Sequence, residues 1–173
     1  GEKYMSRIVI VDIDNCIANV NKALKDKGYR TDIYPSPVPS RLFDDGSIFK
    51  NAEPMKSVIE NIEGIIDDKK DMCMFLTSRP NKKHISSEIT RQWINEHTPF
   101  TFPFYFTDGV PKGEVIRKVF SDKAIREYEW IIFDDSPHEI ISYLNLKNDI
   151  NVDMEIYIPA WEYNSHIDVG KKI

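Results

Sequence analysis

Five short apolar runs, near positions 7–12, 72–77, 102–106, 130–133 and 154–158, predict strands, because each is rich in β-branched or aromatic residues and is bounded by polar ones. Between them apolar positions recur every three to four residues, the spacing of helices that lay one face on a core. The clearest such stretch runs from about Pro54 to Asp68, with Pro54 suited to a first turn and Met55, Val58, Ile59, Ile62, Ile65 and Ile66 on one stripe. A second carries Ile85, Ile89, Trp93 and Ile94. A third starts at Lys112 and carries Val115, Ile116, Val119 and Phe120, and a fourth carries Ile140, Ile141 and Leu144. Strands alternating with helices read as repeated βαβ units, so the predicted class is α/β: a Rossmann-like three-layer sandwich around a mostly parallel sheet.

Asp12 and Thr77 stand further apart than one crossover helix explains, which leaves residues 16–50 as inserted material after the first strand. A helix is expected there over Ile17 to Lys27. The Pro-rich stretch Tyr34-Pro35-Ser36-Pro37-Val38-Pro39 follows, and then a loop through Arg41 to Gly46. The gap from Thr77 to Lys112 holds only one helix and one strand, with no room for a second insertion. The expected organisation is a single domain over 5–173 with a small insertion at 16–50, without internal repeats or low-complexity segments.

Composition narrows the partners. At 173 residues and 41% hydrophobic content one domain buries a sizeable core. A net charge of −5 argues against a broad electrostatic footprint for nucleic acid, although a local basic patch still suffices to grip one phosphate or a strand end. Cys16 and Cys73 make no disulfide framework, and Cys73 sits in an apolar strand as a small hydrophobe. No stretch approaches the ~18 apolar residues of a membrane span, and Gly1 to Tyr4 and the residues after them lack the pattern of a signal peptide. The expectation is a soluble, cytoplasmic protein acting on small anionic substrates rather than long polymers.

The chemistry lies at the strand ends. Ile8-Val9-Ile10-Val11-Asp12-Ile13-Asp14-Asn15 delivers two carboxylates, one residue apart, to the C-terminal end of its own strand, where ligands bind in open α/β sheets. Two acids at that edge repel, so the pattern suits a bound cation or an acid that does chemistry. Strand 72–76 ends in Thr77-Ser78-Arg79-Pro80, Lys112 opens a helix in Pro111-Lys112-Gly113-Glu114, and strand 130–133 ends in Asp134-Asp135-Ser136-Pro137. Each piece has a plainer reading: solvated acids in a turn, a surface lysine, an arginine that bridges to a helix, Asp135 as a helix cap. Asp135 also suits a metal ligand or an orienter of Lys112, and Arg79 also suits a bidentate grip on a phosphate. The four histidines show no metal-ligand spacing, and the aromatic run Phe102 to Phe106 reads as core patterning, with Pro103 pointing to an edge strand.

In this order the four segments resemble the signature motifs of the haloacid dehalogenase superfamily of phosphohydrolases, over roughly residues 7–160. The resemblance implies Asp12 as nucleophile, Asp14 as general acid and base, and Thr77 and Lys112 as stabilisers of the phosphoryl oxygens. It implies Mg²⁺ held by Asp12, Asp14 through its backbone carbonyl, and Asp134, with Asp135 as a further metal residue, and the insertion at 16–50 as a small cap. Ser78, Arg79 and Asn15 are the candidate substrate-binding residues. Thr77-Ser78, the insertion and the tail Pro159-Ala160-Trp161-Glu162-Tyr163-Asn164 are similar to the 5′(3′)-deoxyribonucleotidases, with the tail aromatics placed to stack on a base or to pack the C-terminus. Ser78-Arg79 followed by Thr90-Arg91-Gln92-Trp93 resembles the 3′-phosphatase domains of polynucleotide kinase/phosphatases. A catalytically silent phosphate-binding or scaffold protein on the same fold is the reading of another class.

Overall fold

Val9 and Val11 face one side of the first strand and Ile8 and Ile10 the other, and all four are buried; burial on both faces is why that strand is a continuous apolar run. The computed structural model describes residues 5–67 and 69–173. Its strands are β1 (Arg7–Val11), β2 (Ala18–Asn19), β3 (Glu53–Pro54), β4 (Met72–Thr77), β5 (Phe104–Phe106), β6 (Glu129–Phe133), β7 (Met154–Ile158) and β8 (Lys171–Lys172). Six of them form one sheet in the order β5-β4-β1-β6-β7-β8, with every pairing parallel. The chain winds outward from β1 through β4 to β5, then returns to place β6 on the other side of β1. The crevice between the ends of β1 and β6 is therefore the topological switch point, where open α/β sheets bind ligands.

The helices are α1 (Val20–Asp26), α2 (Ser47–Lys50), α3 (Lys56–Ile65), α4 (Arg91–His97), α5 (Lys112–Val119), α6 (Asp122–Arg126) and α7 (Pro137–Ile150). One apolar layer packs Leu24, Ile59, Ile62 and Trp93 against Val9, Val11 and Phe133. The opposite layer packs Ile116, Ile125, Ile140 and Tyr143 against Ile8, Ile10 and Ile132. The three-layer α/β architecture expected from the pattern is the one observed. Cys16, Ile17, Val20, Leu24, Ile48 and Phe49, all from the inserted segment, lie in the first layer's cluster.

Several boundaries differ from expectation for physical reasons. Pro54 does not start a helix: it pairs with Ala18 in the antiparallel ribbon β2–β3, and α3 begins at Lys56 after Met55, whose N–H donates to the Ile17 carbonyl at 2.7 Å. The Asp68 end of that expected helix lies outside the described residues. Residues 17–19 form a turn and a short strand, so α1 starts only at Val20. Phe102 and Pro103 precede β5, which is an edge strand as Pro103 suggested. The second helix opens with a wide π-helical turn, His84–Thr90, before α4. Strands of two residues such as β2, β3 and β8 are too short to show a period, and none was legible. Among the described residues no helix is long and apolar enough to cross a membrane.

Candidate active site

The backbone after β1 makes a tight turn that aims its acids into the switch-point crevice. The Asp12 N–H continues the ladder to the Phe133 carbonyl at 2.9 Å, and the Ile13 carbonyl accepts from the N–H groups of Ile17 and Ala18 at 3.0 Å each. Closing this turn needs a left-handed residue, and Asn15 supplies it with φ of 59°. Its side-chain oxygen accepts from the Asn21 N–H at 2.7 Å, and its carbonyl accepts from the Trp161 indole N–H at 2.8 Å. Asn15 thus works within the loop that presents Asp14, held by the start of α1 nearby and by the distant C-terminal tail.

Lys112 is the cation of the site. It opens α5, is 1% exposed, and its Nζ lies 2.9 Å from Asp12 Oδ1 and 2.7 Å from Asp134 Oδ2. Burial alone would lower its pKa; Asp12 and Asp134 more than offset that and hold it charged, well above the usual lysine range. Asp134 Oδ1 also accepts from the Ser136 N–H at 3.0 Å. Asp135 contributes neither a bond to Lys112 nor the helix cap, since Ser136 is the N-cap of α7. Its carboxylate instead accepts from the Tyr163 hydroxyl.

Asp12, Asp134 and Asp135 are all buried, and one oxygen from each falls within 4.8 Å of the others. Burial, then the Asp12 charge, pushes the carboxyls of Asp134, to about 7, and Asp135 upward. One lysine cannot balance three buried carboxylates, and the surplus charge with an all-oxygen donor set fits a hard divalent cation. Asp14 stands apart from this cluster.

Asp14 is instead gripped by Arg79. The guanidinium approaches with Nη2 2.6 Å and Nε 3.0 Å from Asp14 Oδ1, while Nη1 donates to Thr90 Oγ1 at 3.0 Å and the group lies over the Phe49 ring at 4.3 Å. The Arg79 side chain is wholly buried and Asp14 keeps 27% exposure. These bonds make Arg79 the residue that holds Asp14. Thr77 is buried, and its hydroxyl oxygen accepts from the Arg79 N–H at 3.1 Å. Ser78 is exposed beside it.

Three contributors gave no sequence signal for their placement. Glu139, buried on α7, accepts from the Lys112 N–H at 3.3 Å and lies 3.2 Å from His138 Nε2. Tyr34, from the Pro-rich stretch, packs its ring against those of His138 and Tyr163. Asn164 binds the carbonyls of Asp135 and Pro159 at 3.0 and 2.8 Å and so ties the tail to the second acid pair. The Trp161 indole N–H is occupied by Asn15, with its ring stacked on Tyr163 at 6.2 Å.

No protein-family model and no curated protein sequence matches the chain. Solved structures do match. A Lactobacillus plantarum protein assigned as a phosphoglycolate phosphatase aligns at 11% identity with a TM-score of 0.53, covering 98% of this chain and 95% of that one. A haloacid dehalogenase-like family hydrolase from Streptococcus pneumoniae aligns at 12% identity and 0.52, covering 92% and 86%. The fold is the haloacid dehalogenase-like fold. Within it Asp12, Asp134 and Lys112 converge at the switch point, with Asp14 at its rim.

Proposed function

We propose that the chain is a Mg²⁺-dependent phosphomonoesterase that works through an aspartyl-phosphate and acts on nucleotides. The observation that carries this reading is the triangle of Asp12, Lys112 and Asp134: a nucleophile and a buried cation locked at 2.9 Å beside a carboxylate cluster suited to a divalent ion. Asp12, Asp134, Asp135 and the Asp14 carbonyl would hold the ion, which supplies neutralisation of the phosphoryl charge.

Asp12 attacks phosphorus, the ester P–O bond breaks, and Asp14 gives its proton to the leaving oxygen. Water then attacks the phosphorus of the acylphosphate while Asp14 takes its proton, and phosphate leaves as the P–O bond to Asp12 breaks. Lys112 holds Asp12 in place through their 2.9 Å ion pair. Thr77 donates a hydrogen bond from its hydroxyl to a non-bridging oxygen. Arg79 orients Asp14, whose exposed face meets the leaving group. Residues 16–50 act as a small cap that shapes the approach without enclosing it.

A 3′-phosphatase acting on nucleic-acid ends is the second reading. It is favoured by the Arg79 to Thr90 hydrogen bond, which joins the two segments that carry that resemblance.

The test is phosphate release, with and without Mg²⁺, from deoxynucleoside 5′- and 3′-monophosphates, a 3′-phosphorylated oligonucleotide and hexose phosphates. Mg²⁺-dependent release from a nucleotide substrate, abolished by Asp12→Asn, is expected. Preference for hexose phosphates contradicts the nucleotide assignment, and release that survives Asp12→Asn contradicts the mechanism.

A further inference from the structure

A cavity of about 520 Å³ opens beside α1, walled by Asn21, Lys22 and Lys25 on the helix, by Tyr29 to Asp32 after it, and by Trp161 and Glu162 of the tail. Nothing in the chemistry above uses it. Its walls are nonetheless bonded to the reacting end of the site. Asn21 donates its backbone N–H to the Asn15 side chain and its amide to the Tyr163 hydroxyl at 3.3 Å, and Trp161 donates to the Asn15 carbonyl. Asn15 directly follows Asp14, the residue that meets the leaving group. These bonds set two of the cavity's walls against the loop that presents Asp14.

Its lining has two chemistries. Tyr29 and Trp161 are half-buried and offer ring surface, and the far face of Trp161 is not the one stacked on Tyr163. Lys22, Lys25 and Arg30 bring three cations against Asp32 and Glu162. Lys22 is shared with Asp26 and Glu53, and Arg30 is paired with Asp32 at 2.7 Å; all three pairs are exposed, weak and able to exchange partners. Lys25 forms no ion pair among the described residues. Ring surface beside free positive charge is the recognition chemistry of a base next to a phosphate. The volume suits one nucleotide unit and not a longer strand.

We infer that this cavity receives the leaving group, and that this leaving group is a nucleoside carrying a second phosphate, with the base against Trp161 or Tyr29 and the phosphate at Lys25 and Arg30. The inference rests on the nucleotide reading and narrows it. The shared ligand chemistry occurs in a free nucleoside bisphosphate and in the phosphorylated end of a strand.

Equilibrium binding to the full chain tests the cavity without relying on turnover. Deoxyadenosine 3′,5′-bisphosphate should bind on the order of tenfold more tightly than either monophosphate, a gain that falls with salt and disappears in Lys25→Glu. Both Lys25→Glu and Arg30→Gln alter exposed positions, so folding is retained. In turnover, Lys25→Glu should lower kcat/KM on the bisphosphate at least fivefold more than on a small aryl phosphate. Equal binding of bisphosphate and monophosphates, or a preference that survives both substitutions, overturns the inference. Comparing the bisphosphate with a 3′-phosphorylated oligonucleotide identifies the source, and a Lys25-dependent gain on either supports the cavity. If the wild type releases no phosphate even from the aryl ester, the phosphatase reading fails while the binding comparison still decides the cavity. If the aryl ester is hydrolysed and no second-phosphate preference exists, the cavity assignment alone fails.

Discussion

Arg79 holds both oxygens of the Asp14 carboxylate, Nη2 2.6 Å from Oδ1 and Nε 3.0 and 3.1 Å from Oδ1 and Oδ2, from a side chain with no exposure of its own. Such a buried fork fixes the direction of a carboxylate far better than a surface pair. Arg79 is therefore a positioning residue for the proposed acid and base.

Replacing it with lysine keeps the charge and loses the fork. Arg79→Lys should lower kcat on the order of 100-fold, the lower end of general acid–base assistance, with little change in KM. A KM rise with kcat intact, in steady-state kinetics, indicates a phosphate-gripping role instead.

Tyr163 donates to Asp135, a proposed ligand, and removing that donor leaves the carboxylate free to turn. Partners of this kind typically contribute about 10- to 100-fold in metal affinity. Tyr163→Phe should raise the Mg²⁺ concentration for half-maximal activity by that order. An unchanged Mg²⁺ titration places Tyr163 in tail packing alone.

Gly113 follows Lys112 where α5 touches α7, and a Cβ there would meet the Ser142 carbonyl oxygen at 2.2 Å. Backbone cannot yield as a flexible side chain does. Gly113→Ala should cost roughly 1–3 kcal/mol in denaturant unfolding, with loss of activity as Lys112 is displaced. Wild-type stability in that assay shows that α5 relaxes freely.

The pH dependence of stability follows from the acid cluster. Burial and mutual repulsion raise Asp134 from an ordinary 3.8 to about 7, and raise Asp135 as well. The folded state then binds more protons than the unfolded chain between these limits. The contribution to stability is full below about pH 4 and is lost as pH rises through about 7. The Tm of metal-free protein should carry that decline, and Asp134→Asn should flatten it. Added Mg²⁺ should raise Tm more at pH 8 than at pH 5.5, because ligation requires the ionised carboxylates. A Mg²⁺ effect equal at both values contradicts carboxylate ligation.

Much of this architecture was readable from particular residues. Ile8 to Val11 and Trp130 to Phe133 are doubly buried strands, so their apolar runs are continuous, and the acids that end them fall side by side because Val11 pairs with Phe133. The place of Lys112 in the site was legible only through the order of the motifs, since a lysine at a helix start is ordinarily solvated. The destination of Arg79 was not legible: Phe49 and Thr90, which complete its pocket, come from segments whose spacing says nothing of where they meet. Tyr34 and Tyr163 reach the acids through an irregular stretch and a returning tail, neither of which has a period to read. The ribbon β2–β3 was hidden for the same reason, and it displaced Pro54 from the helix its composition suggested.

The central claim is that Asp12 carries the phosphoryl group. Borohydride reduction during turnover, followed by peptide mass spectrometry, measures it directly, because an aspartyl-phosphate is reduced to homoserine. Conversion of Asp12 to homoserine, dependent on substrate, is the predicted result. Substrate turnover with Asp12 unmodified, and activity retained in Asp12→Asn, would contradict it.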